Sequence, residues 1–310
     1  MRKVHLWLLA LLAILCSGTS VSWAADSASA PQGTLVAKAK SKSKKGKGGS
    51  KSKKKPTMHL DKREVQTRRD LKSNVRSYRD QVWITRIPMV DQGQEKSCAV
   101  ATLQRVLCYF TESPAEKPPI SNESLKKKLG YSSKKGTNLG EMMETLRRNA
   151  SSLHLSCDEI YSTNMTDKAM LQTYNRYAER KKANGKKVSI SEKKADKDIK
   201  IEDYVTKIDY SLWRRMRCNE LDEGRKHVWR RIRESVDRGL PILWTMELGL
   251  YQETGLRQKG GGHMRLIIGY DKAAEKIIYS DSWGMGHEKK EMPWDDAWAI
   301  TSQMMVLKPR

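Results

Sequence analysis

The change of apolar pattern along the chain constrains its fold more than any other sequence feature. Before residue 240 apolar residues recur at helical spacing, and after it they form short runs typical of strands. The first helical run starts at Cys98, and its apolar face consists of Leu103, Val106, Leu107 and Phe110. The strand-like runs cover residues 242–246, 264–270 and 276–280. This order, with helices first and a sheet later, predicts an α+β fold.

Two further helices have recognisable ends. Asn138 is a predicted N-cap with Glu141 three positions later, which matches a capping box. The other helix carries apolar residues at Val228, Ile232 and Val236 and stops before a Gly and a Pro. Between them, residues 176–226 are rich in Lys and Asp and poor in apolar residues, so we expect a charged insertion at the surface.

The N-terminus has the pattern of a secretory signal peptide. Arg2 and Lys3 precede an apolar stretch over residues 6–16 that is too short to span a bilayer. The small-x-small sequence that ends at Ala24 is typical of a signal-peptide cleavage site. We therefore expect residues 1–24 to be removed and the protein to be exported.

A Lys-rich linker is predicted to follow the signal peptide, over residues 25–72. Ten Lys and no acidic residue lie between 38 and 55, so this stretch buries too little apolar surface to offset its chain entropy. Residues 73–310 are then expected to form one domain that contains the charged insertion. No run after residue 24 is long and apolar enough to cross a membrane.

The chain is strongly basic, with 60 Lys and Arg against 36 Asp and Glu and a formal net charge of +24. An anionic cell-surface polymer is therefore a candidate partner for the Lys-rich segment. No aromatic residues interrupt the Lys-rich stretch, and this weakens the case for a protein that binds single-stranded nucleic acid by base stacking. A nucleic-acid binder remains a weaker alternative that rests on charge alone.

Cys98 is the candidate nucleophile. It stands at the start of a predicted helix, where free backbone N–H groups and the helix dipole stabilise a thiolate. A lone cysteine at such a position is more often a small core residue. Of the other cysteines in the predicted mature chain, Cys157 and Cys218 could form a disulfide or remain buried thiols, and the sequence leaves both possibilities open.

Three segments give this cysteine a catalytic context. Residues 90–99 (VDQGQEKSCA) resemble the active-site segment of papain-like cysteine peptidases. Residues 261–270 (GGHMRLIIGY) resemble the histidine strand of that family, and residues 280–284 (SDSWG) are similar to its Asn-Ser-Trp-Gly segment. The three segments follow one another in the family's chain order. The resemblance implies a papain-like fold, in which an N-terminal helix carrying Cys98 packs on an antiparallel sheet carrying His263 and Asp281. It also implies a cysteine peptidase that acts on peptides or proteins, with no cofactor and no metal.

The resemblance also implies roles for individual residues. His263 would act as general base and acid toward Cys98, and Asp281 would orient its imidazole. Gln92 and the backbone N–H of Cys98 would form the oxyanion hole. The candidate substrate-binding residues are Gly261, Gly262 and Trp283, and Trp283 would also shield the contact between His263 and Asp281 from water.

Departures from the family pattern point to its bacterial branch. Glu95 and Ala99 stand where many papain relatives carry a disulfide Cys and an aromatic residue, and Asp281 replaces their Asn. An acidic residue at that position, with a phrase like residues 238–242 (RGLPI) ahead of the histidine strand, is similar to the double-glycine leader peptidases. Two alternatives stay open: a transglutaminase-like acyl transferase, and a catalytically idle papain-like module that binds peptides or surface polymer.

Overall fold

The computed structural model describes residues 58–60, 65, 68–191, 195–222, 224–256 and 258–310. The chain divides into two units, residues 1–52 and 53–310, and every described residue belongs to the second. The predicted signal peptide and the Lys-rich stretch lie outside the described residues. In the part of the chain that the structure covers, no helix is long and apolar enough for a membrane span.

Eight α-helices are found in the described part of the chain. In chain order they are α1 (Arg68–Ser73), α2 (Cys98–Thr111), α3 (Asn122–Lys128), α4 (Leu139–Asn149), α5 (Asp167–Arg180), α6 (Tyr210–Asn219), α7 (Arg225–Val236) and α8 (Trp294–Ile300). The predicted cap of α4 is present, because the Asn138 side chain accepts a hydrogen bond from the backbone N–H of Glu141. Both α2, which begins at Cys98, and the capped α4 start where the sequence predicted.

The strands of the described residues form one eight-stranded antiparallel sheet. Its strands are β1 (Val75–Tyr78), β2 (Gln81–Ile84), β3 (Leu155–Ser162), β4 (Ile242–Leu248), β5 (Gly261–Asp271), β6 (Lys276–Ser280), β7 (Lys290–Pro293) and β8 (Thr301–Pro309). The main path runs β1-β2-β5-β4-β8-β3, and β6 joins β5 to β7. Helices α2 and α7 pack against β5, so the helix that begins at Cys98 lies on the sheet that carries His263. The α+β prediction is confirmed.

The N-terminal boundary of the domain lies earlier than predicted. Met58 and Leu60 are buried in the hydrophobic core, although we expected the linker to extend to residue 72. Backbone and side-chain hydrogen bonds hold this segment, since the Met58 N–H donates to Asn149 and the Leu60 N–H donates to the carbonyl of Ser152. These two apolar side chains follow a Lys-rich run, so composition averaged over the segment concealed them.

The segment 176–226 is not confined to the surface. Its expected boundary at 176 falls inside α5, and the apolar side of α6 is buried in the core through Leu212, Trp213 and Met216. The Trp213 indole N–H donates to the carbonyl of Ala299 at 2.8 Å. The charged composition of this segment describes its outer face, whereas three apolar residues at helical spacing anchor it to the domain.

Candidate active site

The nucleophile helix starts at the candidate nucleophile itself. Cys98 is the first residue of α2, and the N-cap residue Ser97 makes no side-chain cap hydrogen bond. No acidic residue stands in the first turn. The first backbone N–H groups of α2 and the positive end of its dipole therefore act on Cys98 without a competing carboxylate.

The candidate base and its orienting partner form a buried pair. The Nε2 atom of His263 lies 2.8 Å from Oδ1 of Asp281, and both side chains are almost completely buried. The backbone N–H of Ser282 donates to the same carboxylate oxygen at 2.8 Å. Because Nε2 faces Asp281, the other ring nitrogen, Nδ1, is left for Cys98.

Strand pairing explains how residue 281 reaches residue 263. The hairpin of β5 and β6 places Ser280 opposite Leu266, so the chain leaves β6 beside the start of β5. The backbone N–H of Gln92 then donates to the carbonyl of Ser282 at 2.8 Å and ties the nucleophile loop to the same turn. Segments that are far apart in sequence thus converge at one end of β5.

The electrostatics of the site favour an ion pair between Cys98 and His263. Burial raises the pKa of the Cys98 thiol, but the hydrogen bond and charge of His263, with N–H groups of Met264 and Ala99, bring it below the usual value. Burial lowers the pKa of His263, but the charge and hydrogen bond of Asp281, helped by Cys98, raise it to about 9. The arrangement therefore supports a thiolate beside an imidazolium at neutral pH.

Trp283 covers the imidazole. Its ring stacks on His263 with the centroids 4.9 Å apart and an angle of 29° between the planes. Trp283 also meets the ring of His287 edge-on at 5.5 Å. The stacked indole covers one face of the His263 ring, and its predicted role in shielding the contact between His263 and Asp281 stays a prediction.

Gln92 lies in the nucleophile loop, and its side-chain amide already has a partner. Nε2 donates to the carbonyl of Glu95 at 3.1 Å, which leaves the second amide hydrogen for an oxyanion. Glu95, which stands at the family's disulfide position, forms an ion pair with Lys126 of α3 at 2.8 Å. This ion pair links the loop to α3, whereas many papain relatives carry a disulfide cysteine at the position of Glu95. All four cysteines of the described residues are free thiols.

The two candidate substrate-binding glycines start β5, directly before His263. Gly261 has φ of +148°, a conformation that side chains rarely adopt, and a Cβ there would lie 3.2 Å from Oε2 of Glu202. A Cβ on Gly262 would touch Leu139 of α4. Both positions therefore leave backbone accessible between the sheet and the helical part of the molecule.

Comparison with known proteins finds similarity to a peptidase family over part of the chain. Residues 157–305 match the model of the Peptidase_C39 like family, a segment that contains His263 and Asp281 but begins after Cys98. This segment, just under half of the chain, is therefore similar to a peptidase family. A solved structure of xylellain, a cysteine protease from Xylella fastidiosa, is similar with 13% identity and a TM-score of 0.38, over 82% of this chain and 95% of that one. No curated protein matches the sequence.

In the candidate active site the carboxylate of Asp281 has a second cationic partner, which the sequence analysis missed. Nε of Arg265 donates to Oδ2 of Asp281 at 2.6 Å, and both side chains are completely buried. Arg265 also pairs with Glu253 at 2.7 Å and lies over the rings of Tyr279 and Trp283. A charged residue inside the apolar run 264–270 was the signal for this role.

A second missed arginine fastens the nucleophile helix to the turn that carries Asp281. Arg105 of α2 is buried and donates to the carbonyl of Asp281 at 2.9 Å and to the hydroxyl of Ser280 at 2.5 Å. One turn earlier, the Thr102 hydroxyl donates to the carbonyl of Met264. These bonds hold α2 against the segments that carry His263 and Asp281. In the sequence, the signal for this role was the presence of polar residues within the apolar pattern of α2.

The electrostatics predict an unusually reactive thiol. Alkylation of Cys98 by iodoacetamide should remain fast well below pH 9, because its thiolate persists at pH values where ordinary thiols are protonated. Cys218 is an internal control, since burial raises its pKa to about 11. Mass spectrometry of each cysteine over a pH series gives both rates. A Cys98 rate that rises only near pH 9, in step with a free thiol, would contradict the ion pair.

The Arg265–Asp281 pair predicts a large loss of stability when it is broken on one side. Arg265→Met leaves a buried carboxylate with one partner fewer and should lower the free energy of unfolding by about 3–5 kcal/mol. The double variant Arg265→Met with Asp281→Asn should recover part of that loss, because it removes both charges. As a control, Lys276→Met breaks a partly exposed pair with Glu291 and should cost about 0–1 kcal/mol. Urea denaturation measures the free energy of unfolding of all three variants. An Arg265→Met protein as stable as the wild type would refute the account.

Proposed function

We propose that the protein is a cysteine peptidase that hydrolyses peptide bonds through a thiolate and an acyl-enzyme. The observation that carries this proposal is the buried His263–Asp281 pair, together with a cysteine at the tip of α2 whose pKa His263 holds below the usual value. A structural cysteine needs neither a helix N-terminus nor an imidazole held in one orientation. The match to a peptidase family supports a peptide or protein substrate.

The first half of the reaction forms the acyl-enzyme. The Cys98 thiolate attacks the carbonyl carbon, and the resulting oxyanion accepts hydrogen bonds from the backbone N–H of Cys98 and the Gln92 amide. Collapse of this intermediate breaks the C–N bond. The His263 imidazolium gives its proton to the departing nitrogen, so the amine leaves neutral and a thioester remains on Cys98.

The second half regenerates the enzyme. His263, now neutral, takes a proton from water, and the hydroxide formed attacks the thioester carbonyl. The acid product leaves, and the proton held by His263 restores the ion pair with the Cys98 thiolate. Asp281 keeps Nε2 protonated in both halves, so Nδ1 is the nitrogen that exchanges the proton.

A peptide library tests the proposal directly. We expect the purified protein to cleave a subset of peptides, and expect Cys98→Ala and His263→Ala each to lower kcat/KM by about 10³-fold or more. Cys157→Ala is the matched control, because that thiol lies on β3 with its pKa raised by burial, and it should retain activity. Mass spectrometry identifies the products and any thioester on Cys98.

Four results would contradict this proposal or favour one of its competitors. Cleavage that survives Cys98→Ala excludes this nucleophile. Incorporation of an added amine in place of water favours the acyl transferase, and binding of peptides without any turnover favours an idle papain-like module. Equal labelling of the wild type and His263→Ala by a peptide electrophile would also count against the activated pair.

We also propose that the enzyme works outside the cytoplasm. The charged start, the apolar stretch over residues 6–16 and the small-x-small sequence ending at Ala24 support export. Expression of the full chain in a bacterial host should give an exported form whose first residue is Ala25, as read by N-terminal sequencing. A cell-associated protein that keeps residues 1–24 would contradict export.

A further inference from the structure

A cavity of about 420 Å³ lies at the start of β5, and its volume is within the range of about 300–1,000 Å³ that is usual for ligand sites. Gly262 lines it, and Gly262 is the residue immediately before His263. Thr245 and Glu247 of β4 also line it, and in the register of the sheet Glu247 lies opposite Gly262. One wall of the cavity is therefore formed by the strand residue next to His263, about 3.3 Å from it along the backbone of β5.

The opposite wall of the cavity is formed by the start of α4, which follows a turn that packs close to the Cys98 segment. Asn138 and Leu139 line the cavity at the start of α4. Just before them, Gly136 packs so closely on Lys96 that a Cβ would lie 2.9 Å from its carbonyl oxygen, and Lys96 stands two residues before Cys98. The cavity therefore lies between the strand that carries His263 and a helix whose preceding turn packs against the segment that leads into Cys98.

The cavity is acidic in a strongly basic protein. Asp167, Glu202 and Glu247 line it against a single cation, Lys200. Asp167 accepts a hydrogen bond from the backbone N–H of Ile201. Glu247 has no hydrogen-bond or ion-pair partner among the residues that the structure describes, and burial, with the charges of Asp167 and Glu202, raises its pKa to about 7. A carboxyl group in that setting gains a favourable interaction when a cation enters.

The spacing of these carboxylates favours an organic cation over a metal ion. In the described parts of the chain, no three or more His, Cys, Asp or Glu side chains converge closely enough to hold a metal. The acidic groups are spread around a cavity that is large enough for a long side chain. An ammonium or guanidinium at the end of an aliphatic stem matches this combination of depth and charge.

We infer that this cavity is a specificity site that receives a Lys or Arg side chain of the polypeptide substrate, an inference that rests on the proposed peptidase function. Glu247 pairs with the cationic group inside the cavity, and the exposed Glu202 attracts it at the mouth. The enzyme therefore cleaves basic polypeptides in preference to neutral ones.

Matched peptides test the inference. In a positional library, each peptide with Lys at a given position is compared with the same peptide carrying Met there. At one position, Lys should raise kcat/KM about tenfold or more, because a charge-assisted hydrogen bond contributes about that much. The double variant Glu202→Gln with Glu247→Gln should bring that ratio close to one. Asp167 is left in place because its carboxylate holds the backbone of Ile201. Glu144→Gln, a change of an exposed α4 carboxylate, is the control and should keep the wild-type ratio.

A binding measurement keeps the inference separate from the proposed function. Calorimetry with the Cys98→Ala protein compares the same Lys and Met peptides without any turnover. Tighter binding of the Lys peptides, lost in the charge-removed variant, supports the cavity even if the wild type hydrolyses nothing. Hydrolysis without a preference for Lys or Arg, or a preference that survives the double variant, overturns the inference and leaves the peptidase proposal standing. Absence of both hydrolysis and Lys-dependent binding overturns both.

Discussion

The carboxylate of Asp281 is the group on which the rest of the site depends. It is completely buried, and a buried carboxylate is tolerated only with close partners. It has His263 on one oxygen and Arg265 on the other, at 2.8 and 2.6 Å. Burial raises the pKa of Asp281, but the charges and hydrogen bonds of His263 and Arg265 bring it below the usual value, so the group stays ionised. The imidazole orientation and the state of the Cys98 thiol follow from that charge.

Arg265 shares the charge of Asp281, which stands where papain relatives carry an amide. A carboxylate pairs more strongly with an imidazolium than a neutral amide does. Glu253 in turn pairs with Arg265. The His263 pKa of about 9 is the balance of these contacts with the cost of burial. Because this pKa lies above the value of about 6.5 for an exposed histidine, the pair stabilises the fold fully below pH 6.5 and loses that contribution as pH rises through 9.

Local patterns in the sequence were sufficient for the elements that carry the site. Helical spacing after Cys98 predicted the start of α2, and the polar turn between two apolar runs predicted the β5–β6 hairpin, with β6 at its observed bounds. Those two elements, with the family motifs, already bring Cys98, His263 and Asp281 together. This prediction succeeded because each signal is short-range and the one long-range step, the return of residue 281 to residue 263, follows from a hairpin.

The features that the sequence did not reveal depend on contacts between distant segments. Arg265 and Arg105 appear in sequence as isolated charges within apolar runs, and only the packing of α2 on β5 shows what they bind. The acidic cavity combines Asp167, Glu202 and Glu247 from three separate elements. Met58 was hidden because a Lys-rich neighbour dominates the local composition. In each case the missing information was which distant segments contact one another, and local patterns in a single sequence do not give it.

Nitrogen-15 NMR of the His263 ring is the measurement that tests the central claim most directly. With the other histidines assigned by substitution, the account predicts that both ring nitrogens of His263 carry protons at neutral pH and that the ring titrates near pH 9. It also predicts a lower titration point in Asp281→Asn, because the charge that holds the proton is gone. A neutral His263 ring at pH 7, with an ordinary titration near 6.5 that does not respond to Asp281, would contradict the ion pair and the mechanism built on it.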